Sequence, residues 1–109
     1  MKTKRSKACD ISQKVKSTVY KRDGGLCIFC HRQGAPNAHI IARSHGGLGI
    51  EENIVTACTE CHNKMDNTSE RGRYINFAKA YVMARYPDWT EAAVTYDKWK
   101  HIKEEKENE

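Results

Sequence analysis

The sequence has no long apolar run and no internal repeat. A transmembrane helix needs about 20 consecutive apolar residues, and no segment of this chain approaches that length. The first residues, Met-Lys-Thr-Lys-Arg-Ser-Lys, are too polar for a signal peptide, which requires an apolar segment. These absences argue against a helical membrane protein and against secretion, so the sequence predicts a cytoplasmic protein that makes no use of a membrane.

The length and charge of the chain limit what it can be. Its 109 residues allow one domain with a modest core. It has 19 Lys and Arg residues against 14 Asp and Glu residues, a formal net charge of +5. That balance favours an anionic partner, of which nucleic acid is the commonest. A basic domain without such a partner has the same composition, so charge alone does not decide the function.

Four of the five cysteines form two Cys-x-x-Cys pairs, Cys27 with Cys30 and Cys58 with Cys61. This spacing is typical of a tetrahedral zinc site in which each pair supplies two thiolates from one tight turn. Disulfides would suit a secreted chain, and a redox Cys-x-x-Cys usually occurs once, beside a βαβ pattern that is absent here. We therefore predict a structural Zn²⁺ ion bound by these four residues, with Cys9 as a spare thiol.

Composition and periodicity divide the chain into three parts. Residues 1–9 are basic and poor in core-forming residues, which predicts a flexible arm. Residues 10–103 should form the domain, and residues 104–109 a frayed acidic tail. The domain should begin with a helix capped by Asp10 and ended by Gly24-Gly25. A strand, a glycine-rich loop, a strand and a helix should follow, at residues 38–43, 44–52, 54–56 and 58–67. This order predicts an α+β fold with a ββα core.

The C-terminal part, about residues 69–103, should be helical. Ser69 is a reasonable cap for a helix that Tyr86-Pro87 would stop. A stripe of aromatic and small apolar residues in this helix has helical spacing, so we predict that it packs in the core and does not stack on bases. It consists of Tyr74, Phe77, Ala78, Tyr81 and Val82. A further helix is expected over residues 88–103, with Tyr96 and Trp99 packed inward.

Three polar residues between and after the cysteines suit phosphodiester chemistry. His39 lies at one end of the first predicted strand, and His62 and Asp66 are four residues apart on one face of the following helix. A divalent ion held by imidazole and carboxylate can neutralise a phosphate while a neutral histidine activates water. Any one of these residues alone would more often be an ordinary surface group.

Three longer motifs carry a family resemblance. They are Arg22-Asp23-Gly24-Gly25-x-Cys-x-x-Cys, the segment Ala38-His39-Ile40-Ile41-Ala42-Arg43-Ser44-x-Gly46-Gly47, and Asn53-Ile54-Val55-Thr56-x-Cys-x-x-Cys-His62. Together they resemble the zinc-containing HNH endonucleases of the His-Me finger superfamily, most closely those of bacteriophages and prophages. The resemblance covers about residues 15–67, and Tyr86-Pro87-Asp88-Trp89 also looks like the phage group.

The resemblance implies a ββα-metal fold and a metal-dependent endonuclease that nicks or cuts DNA, leaving 5′-phosphate ends. His39 would be the general base, and Asn53 would tie the loop that holds it. His62 falls on the last metal-ligand position, and Asp66 matches a further one less closely. The catalytic ion would be Mg²⁺ or Mn²⁺. Phage packaging proteins are the partners implied by gene context in such phages, with the host cytoplasm as the location.

The chain departs from the family at Ala38, because the residue before the catalytic histidine often binds the metal. With Ala38 there, the ion should be held loosely, and Ala38→Asp should lower the Mg²⁺ requirement unless Ala38 packs under the hairpin. His45 is a candidate for an additional ligand of the ion, although a contact with a DNA phosphate suits its position in the glycine-rich loop better.

The sequence offers cations for DNA phosphates but no base-reading element. The candidates are Arg43, His45, Lys64, Arg71 and Arg73. Two alternatives to a nuclease are a non-catalytic zinc-stabilised module that binds nucleic acid and a small zinc-stapled interaction domain. Neither has a use for His39, Asn53 and His62 at this spacing. The sequence does not set the oligomeric state.

Overall fold

A computed structural model describes residues 3–97. It contains four α-helices: α1 (Lys4–Cys9), α2 (Gln13–Arg22), α3 (Thr59–Asn67) and α4 (Arg71–Arg85). Its two strands, β1 (Ala35–His39) and β2 (Ile54–Ala57), pair as an antiparallel sheet, and short 3₁₀ turns span Arg43–His45 and Ala92–Val94. The predicted α+β class is confirmed. Among residues 3–97, no helix has the length and apolar character needed to cross a membrane.

The N-terminal segment differs from the predicted flexible arm. Residues Lys4–Cys9 form helix α1, and Cys9 is buried with 1% of its surface exposed. The end of α1 packs on Gly49, whose N–H donates to the Ala8 carbonyl oxygen at 3.0 Å. A Cβ at Gly49 would lie 2.0 Å from the Asp10 carbonyl oxygen, so glycine is what allows this approach. The prediction of a mobile arm is therefore wrong for residues 4–9.

Helix α2 begins at Gln13, later than predicted. Its N-cap is Ser12, whose hydroxyl accepts a hydrogen bond from the Val15 N–H at 3.2 Å. Asp10 does not cap it, because Asp10 lies at the C-cap of α1 instead. The predicted end is confirmed, since Gly24 and Gly25 follow the helix with φ values of 67° and 71°.

The hairpin carries Ala38 and His39 in neighbouring positions on opposite faces. Ala38 pairs with Val55 and His39 with Ile54, and a bulge lies between Ala35 and Ala38. Because side chains alternate along a strand, the buried Ala38 and the half-buried His39 point apart. The strand begins three residues before the predicted start and ends at His39, and the 3₁₀ turn at Arg43–His45 begins the loop that was expected to be flexible.

One core joins the hairpin to helices α3 and α4. It contains Ala38, Ile40 and Val55 from the hairpin region, Cys61 and Met65 from α3, and Ala78 and Val82 from α4. Helix α3 begins at Thr59 with Cys58 as N-cap, as the sequence predicted. The order β1, β2, α3 is the predicted ββα arrangement.

Helix α4 confirms part of its predicted stripe. Ala78 and Val82 are fully buried, whereas Phe77 is 51% exposed, so the assignment of Phe77 to the core is wrong. The predicted cap at Ser69 is also wrong. Instead the Thr68 hydroxyl accepts a hydrogen bond from the Glu70 N–H at 3.2 Å.

The segment after Tyr86 consists of turns and the short 3₁₀ helix Ala92–Val94 rather than the predicted α-helix. The Leu48 N–H donates to the Val94 carbonyl oxygen at 2.8 Å, and the Tyr96 N–H donates to the Gly46 carbonyl oxygen at 2.7 Å. These bonds to the glycine-rich loop replace helical ones up to residue 97. Trp99 and residues 98–109, including the predicted acidic tail, lie outside the described residues.

A buried ion pair connects α2 to the second strand. Arg22 binds the Asp23 carboxylate at 2.8 Å and also donates to the Ile54 carbonyl oxygen at 2.7 Å. Asp23, whose side chain is fully buried, accepts from the Thr56 N–H at 2.9 Å and from the Tyr81 hydroxyl at 2.6 Å. This network fixes the strand that precedes α3.

Candidate active site

The four predicted zinc ligands form one cluster. The Sγ atoms of Cys27, Cys30, Cys58 and Cys61 all lie within 4.8 Å of one another. A tetrahedral zinc with Zn–S bonds of about 2.3 Å separates its sulfurs by about 3.8 Å, and the Cys30 and Cys58 Sγ atoms are 3.6 Å apart. Four thiolates are a donor set that zinc prefers, so the cluster fits the predicted ion. Within residues 3–97 it is the one group of three or more metal-binding side chains.

Hydrogen bonds prepare this cluster for a cation. Burial opposes ionisation of Cys27, but backbone N–H groups of Cys58, Cys30 and Phe29 outweigh it and lower the pKa of Cys27 to about 7. Burial and hydrogen bonds to the other thiols raise the pKa of Cys61. A cation bound by the four sulfurs would displace their remaining thiol protons.

His39 is held by a residue that the sequence did not single out for that role. Its Nε2 lies 2.9 Å from the carbonyl oxygen of Cys9, at the end of α1. Because a carbonyl oxygen only accepts, the ring proton lies on Nε2 and Nδ1 keeps its lone pair. Burial lowers the pKa of His39, so the ring is neutral at pH 7. No sequence motif signals a backbone carbonyl, which is why this partner could not be predicted.

His62 and Asp66 lie side by side on α3, with 3.2 Å between Nε2 of His62 and Oδ2 of Asp66. Both side chains are partly exposed. Both residues act on His39 through their charges: besides burial, the Cys9 hydrogen bond and the charge of Arg43, His62 lowers the pKa of His39 and Asp66 raises it. The predicted base therefore interacts electrostatically with the two predicted ligands.

Asn53 lies beneath the loop that follows His39. It is fully buried, and its Oδ1 accepts from the Ile41 N–H at 2.9 Å. Its Nδ2 donates to the carbonyl oxygens of Ile41 at 3.2 Å and Leu48 at 2.9 Å. These bonds join the two ends of the loop, which is the arrangement expected of a residue that ties it.

Ala38 does not face this region. It is fully buried in the core on the other side of β1 from His39. This burial supports the alternative that Ala38 packs under the hairpin, whereas the expectation that a carboxylate at position 38 would reach the ion stays a prediction.

The five predicted DNA contacts fall into three places. His45 and Arg71 line one cleft of about 390 Å³ between the loop and α4. Lys64 and Arg73 line a different cleft, of about 470 Å³, beside Phe29. Arg43 is bound to the Asp10 carboxylate at 2.5 Å and to the Ser6 hydroxyl at 3.0 Å, which ties it to α1.

Fold and site together define a small α+β protein with a four-cysteine cluster that could hold a metal ion and a histidine-bearing ββα core. Residues 27–68 match the family model described as HNH endonuclease, which supports the resemblance of this segment to an HNH domain. The family is one of nucleases and implies DNA as the substrate. No curated protein and no solved structure matches the chain.

Proposed function

We propose that the protein is a metal-dependent DNA endonuclease with His39 as its general base. The observation that carries this proposal is the neutral His39 with a free Nδ1, near the His62 and Asp66 pair, inside an HNH domain. The zinc of the four cysteines would be structural, because four thiolates leave a tetrahedral ion no open position.

In the proposed reaction, Nδ1 of His39 takes a proton from water as its oxygen attacks the phosphorus. The bond from phosphorus to the 3′ oxygen breaks and that oxygen takes a proton from solvent water, which leaves a 5′-phosphate and a 3′-hydroxyl. His62 and Asp66 would hold Mg²⁺ or Mn²⁺, ions that accept carboxylate, imidazole and water ligands. Such an ion supplies positive charge beside the leaving oxygen.

Two parts of the chain position the base in this proposal. The Cys9 carbonyl fixes the ring and its tautomer, and Asn53 fixes the loop after His39. Helix α1 would therefore position His39, in addition to supplying positive charge for DNA binding. Removal of residues 1–9 should lower kcat as well as weaken DNA binding, because His39 loses its hydrogen-bond acceptor.

The cleft beside the loop offers phosphate contacts for the same substrate. His45 lines it from the loop and Arg71 from α4. Contacts of this kind position DNA without reading its bases.

A supercoiled-plasmid assay with and without Mg²⁺ or Mn²⁺ tests the proposal. His39→Ala should lower nicking by about 10²–10⁴-fold while the zinc content stays unchanged. His31→Asn is the matched control, because His31 is an exposed histidine with φ 65°, a conformation that asparagine tolerates. Equal nicking by His39→Ala and wild type would reject the assignment of His39.

The same assay separates the alternative of a non-catalytic zinc module, which would bind DNA and leave it intact with every ion. A link to phage DNA packaging is a further proposal that rests on the resemblance alone. Stimulation of cleavage by the packaging proteins of the phage concerned would support it.

A further inference from the structure

A second cleft, on the other side of α3 from His62, combines aromatic rings with cations. Phe29, Tyr74 and Phe77 line it together with Lys64, Arg73 and Glu70, and its volume is about 470 Å³. The proposed reaction does not use these rings, and the Tyr74 hydroxyl hydrogen-bonds with Cys61 of the four-cysteine cluster. We name it the aromatic cleft.

The rings of the aromatic cleft form a tilted cluster with one open member. The Phe29 ring centroid lies 4.8 Å from that of Tyr74 and 5.4 Å from that of Phe77, at interplanar angles of 59° and 47°. Phe29 and Tyr74 are partly buried against the core, whereas Phe77 exposes 51% of its surface. The cluster therefore holds Phe77 in place from one side and leaves its ring accessible.

The charges around the rings favour an anion. Arg73 makes no side-chain hydrogen bond or ion pair with any residue between 3 and 97. Lys64 lies 3.7 Å from Glu60 and 4.0 Å from Glu70, both loose surface pairs that contribute little stability. Glu70 is the one acidic residue of the lining, so the lining carries a net charge of +1 from Lys64, Arg73 and Glu70.

We propose that the aromatic cleft binds an unpaired nucleotide of the DNA substrate, with its base stacked on Phe77 and its phosphate near Arg73 and Lys64. An exposed ring beside cations is the arrangement by which proteins hold single strands, because every base has a face to stack. This inference rests on the proposed function for its substrate and extends it. The protein should prefer DNA with an unpaired segment to perfect duplex.

The position of α4 connects the two clefts. Arg71, in its first turn, lines the cleft beside the loop, and Arg73, two residues later, lines the aromatic cleft. A strand that leaves a duplex at the first cleft would thus meet a second cation on its way to Phe77.

Binding of a fluorescent oligothymidylate, compared with a duplex of equal length, tests the proposal in buffer without Mg²⁺, Mn²⁺ or chelator. Stacking on an aromatic side chain contributes about 1–3 kcal/mol per base, so Phe77→Ala should raise the Kd for the oligothymidylate by about 5- to 150-fold. The Kd for the duplex should change by less than about twofold. Phe77→Leu, which keeps an apolar side chain but removes the ring face, should weaken the same binding.

Met83→Ala is the matched control, since Met83 lies on the same helix and is also 51% exposed. It should leave both affinities unchanged. The proposal fails if Phe77→Ala and Phe77→Leu leave the oligothymidylate affinity unchanged, which is the result expected if the cleft binds a protein instead. It also fails if both variants weaken binding of the oligothymidylate and of the duplex equally. Binding does not depend on cleavage. If the wild type does not nick DNA but its oligothymidylate binding depends on Phe77, the proposed nuclease function is rejected and the proposed binding site is not.

Discussion

Asn53 holds both backbone polar groups of Ile41, accepting from its N–H at 2.9 Å and donating to its carbonyl oxygen at 3.2 Å. The two residues are on opposite sides of the glycine-rich loop, so one buried amide closes it. Gly47 lies in the same place, where a Cβ would come within 1.7 Å of the Ile41 carbonyl oxygen. The loop that follows His39 is therefore fixed by an asparagine and by the absence of a side chain.

Asn53→Ala should destabilise the protein by about 3 kcal/mol or more, because it leaves buried backbone groups of Ile41 and Leu48 without partners. Urea unfolding followed by circular dichroism measures this. Asn63→Ala is the control, since the Asn63 side chain is exposed and bonds only to Asn67 among the described residues. Its effect should stay within about 0.5 kcal/mol. Equal stability of Asn53→Ala and wild type would contradict the structural role.

This example shows what the sequence could and could not predict. Asn53 was recognisable because the family motif contains it, and the four cysteines because zinc requires their spacing. The hydrogen-bond partner of His39 could not be recognised from the sequence, because any residue can supply a backbone carbonyl and α1 has no strong helical signal. Its stability comes from contacts with the loop, among them the bond from the Gly49 N–H to Ala8.

The errors in the C-terminal half have the same physical origin. Periodicity predicted that Phe77 is buried, yet the cleft beside Phe29 leaves it half exposed. The segment around Val94 was predicted to be α-helical, but it forms only a short 3₁₀ helix, and hydrogen bonds to Leu48 and Gly46, distant in sequence, hold it against the loop. Local patterns do not contain such tertiary contacts.

Zinc content should be about one ion per chain, bound through the four-cysteine cluster. Cys58→Ser should abolish stoichiometric zinc and cooperative unfolding, because metal binding supplies folding energy in small domains. Elemental analysis and thermal melting measure both. Cys9→Ala is the control: Cys9 lies outside the cluster, so this variant should keep its zinc. Freshly purified wild type without stoichiometric zinc would refute the prediction.

The buried ion pair should be essential for stability. Asp23→Ala leaves Arg22 buried without its carboxylate and should cost about 3–5 kcal/mol. Burial raises the pKa of Asp23, but hydrogen bonds from Arg22, Tyr81 and Thr56 outweigh burial and lower this pKa below 3.8. A depressed pKa contributes stability that is present above pH 3.8 and lost as the pH falls through the lower folded value.

Unfolding measured from neutral to acidic pH should therefore show this acid-induced loss in wild type. Asp88→Ala, at an exposed aspartate, should retain both the stability and the pH profile. An Asp23→Ala variant as stable as wild type at neutral pH would show that the pair has no net effect.

The acidic limb of the cleavage profile should have its midpoint below pH 6.5. Burial lowers the pKa of His39 below its ordinary 6.5, and a cation at His62 and Asp66 would lower it further. The base is neutral above its folded pKa, so activity should rise with pH through that value and then level. Rates of plasmid nicking at saturating Mg²⁺ measure the profile. A midpoint above 6.5 would contradict His39 as the base.

The last prediction concerns two alanines on one strand. Ala38 is fully buried against Val55 and the core, whereas Ala35, three residues earlier on β1, is exposed. Ala38→Asp should destabilise the protein by about 3–5 kcal/mol, because a carboxylate in the core must lose its charge or its hydration. Ala35→Asp makes the same chemical change in water and should stay within about 0.5 kcal/mol.

Urea unfolding and Mg²⁺ titrations of nicking, run on both variants, measure the two effects. Since position 38 points away from His39, the Ala38→Asp variant should not require less Mg²⁺ than wild type. An Ala38→Asp protein that unfolds like wild type and cleaves at lower Mg²⁺ would mean that residue 38 reaches the ion. The ion would then lie on the core side of β1, away from His62 and Asp66.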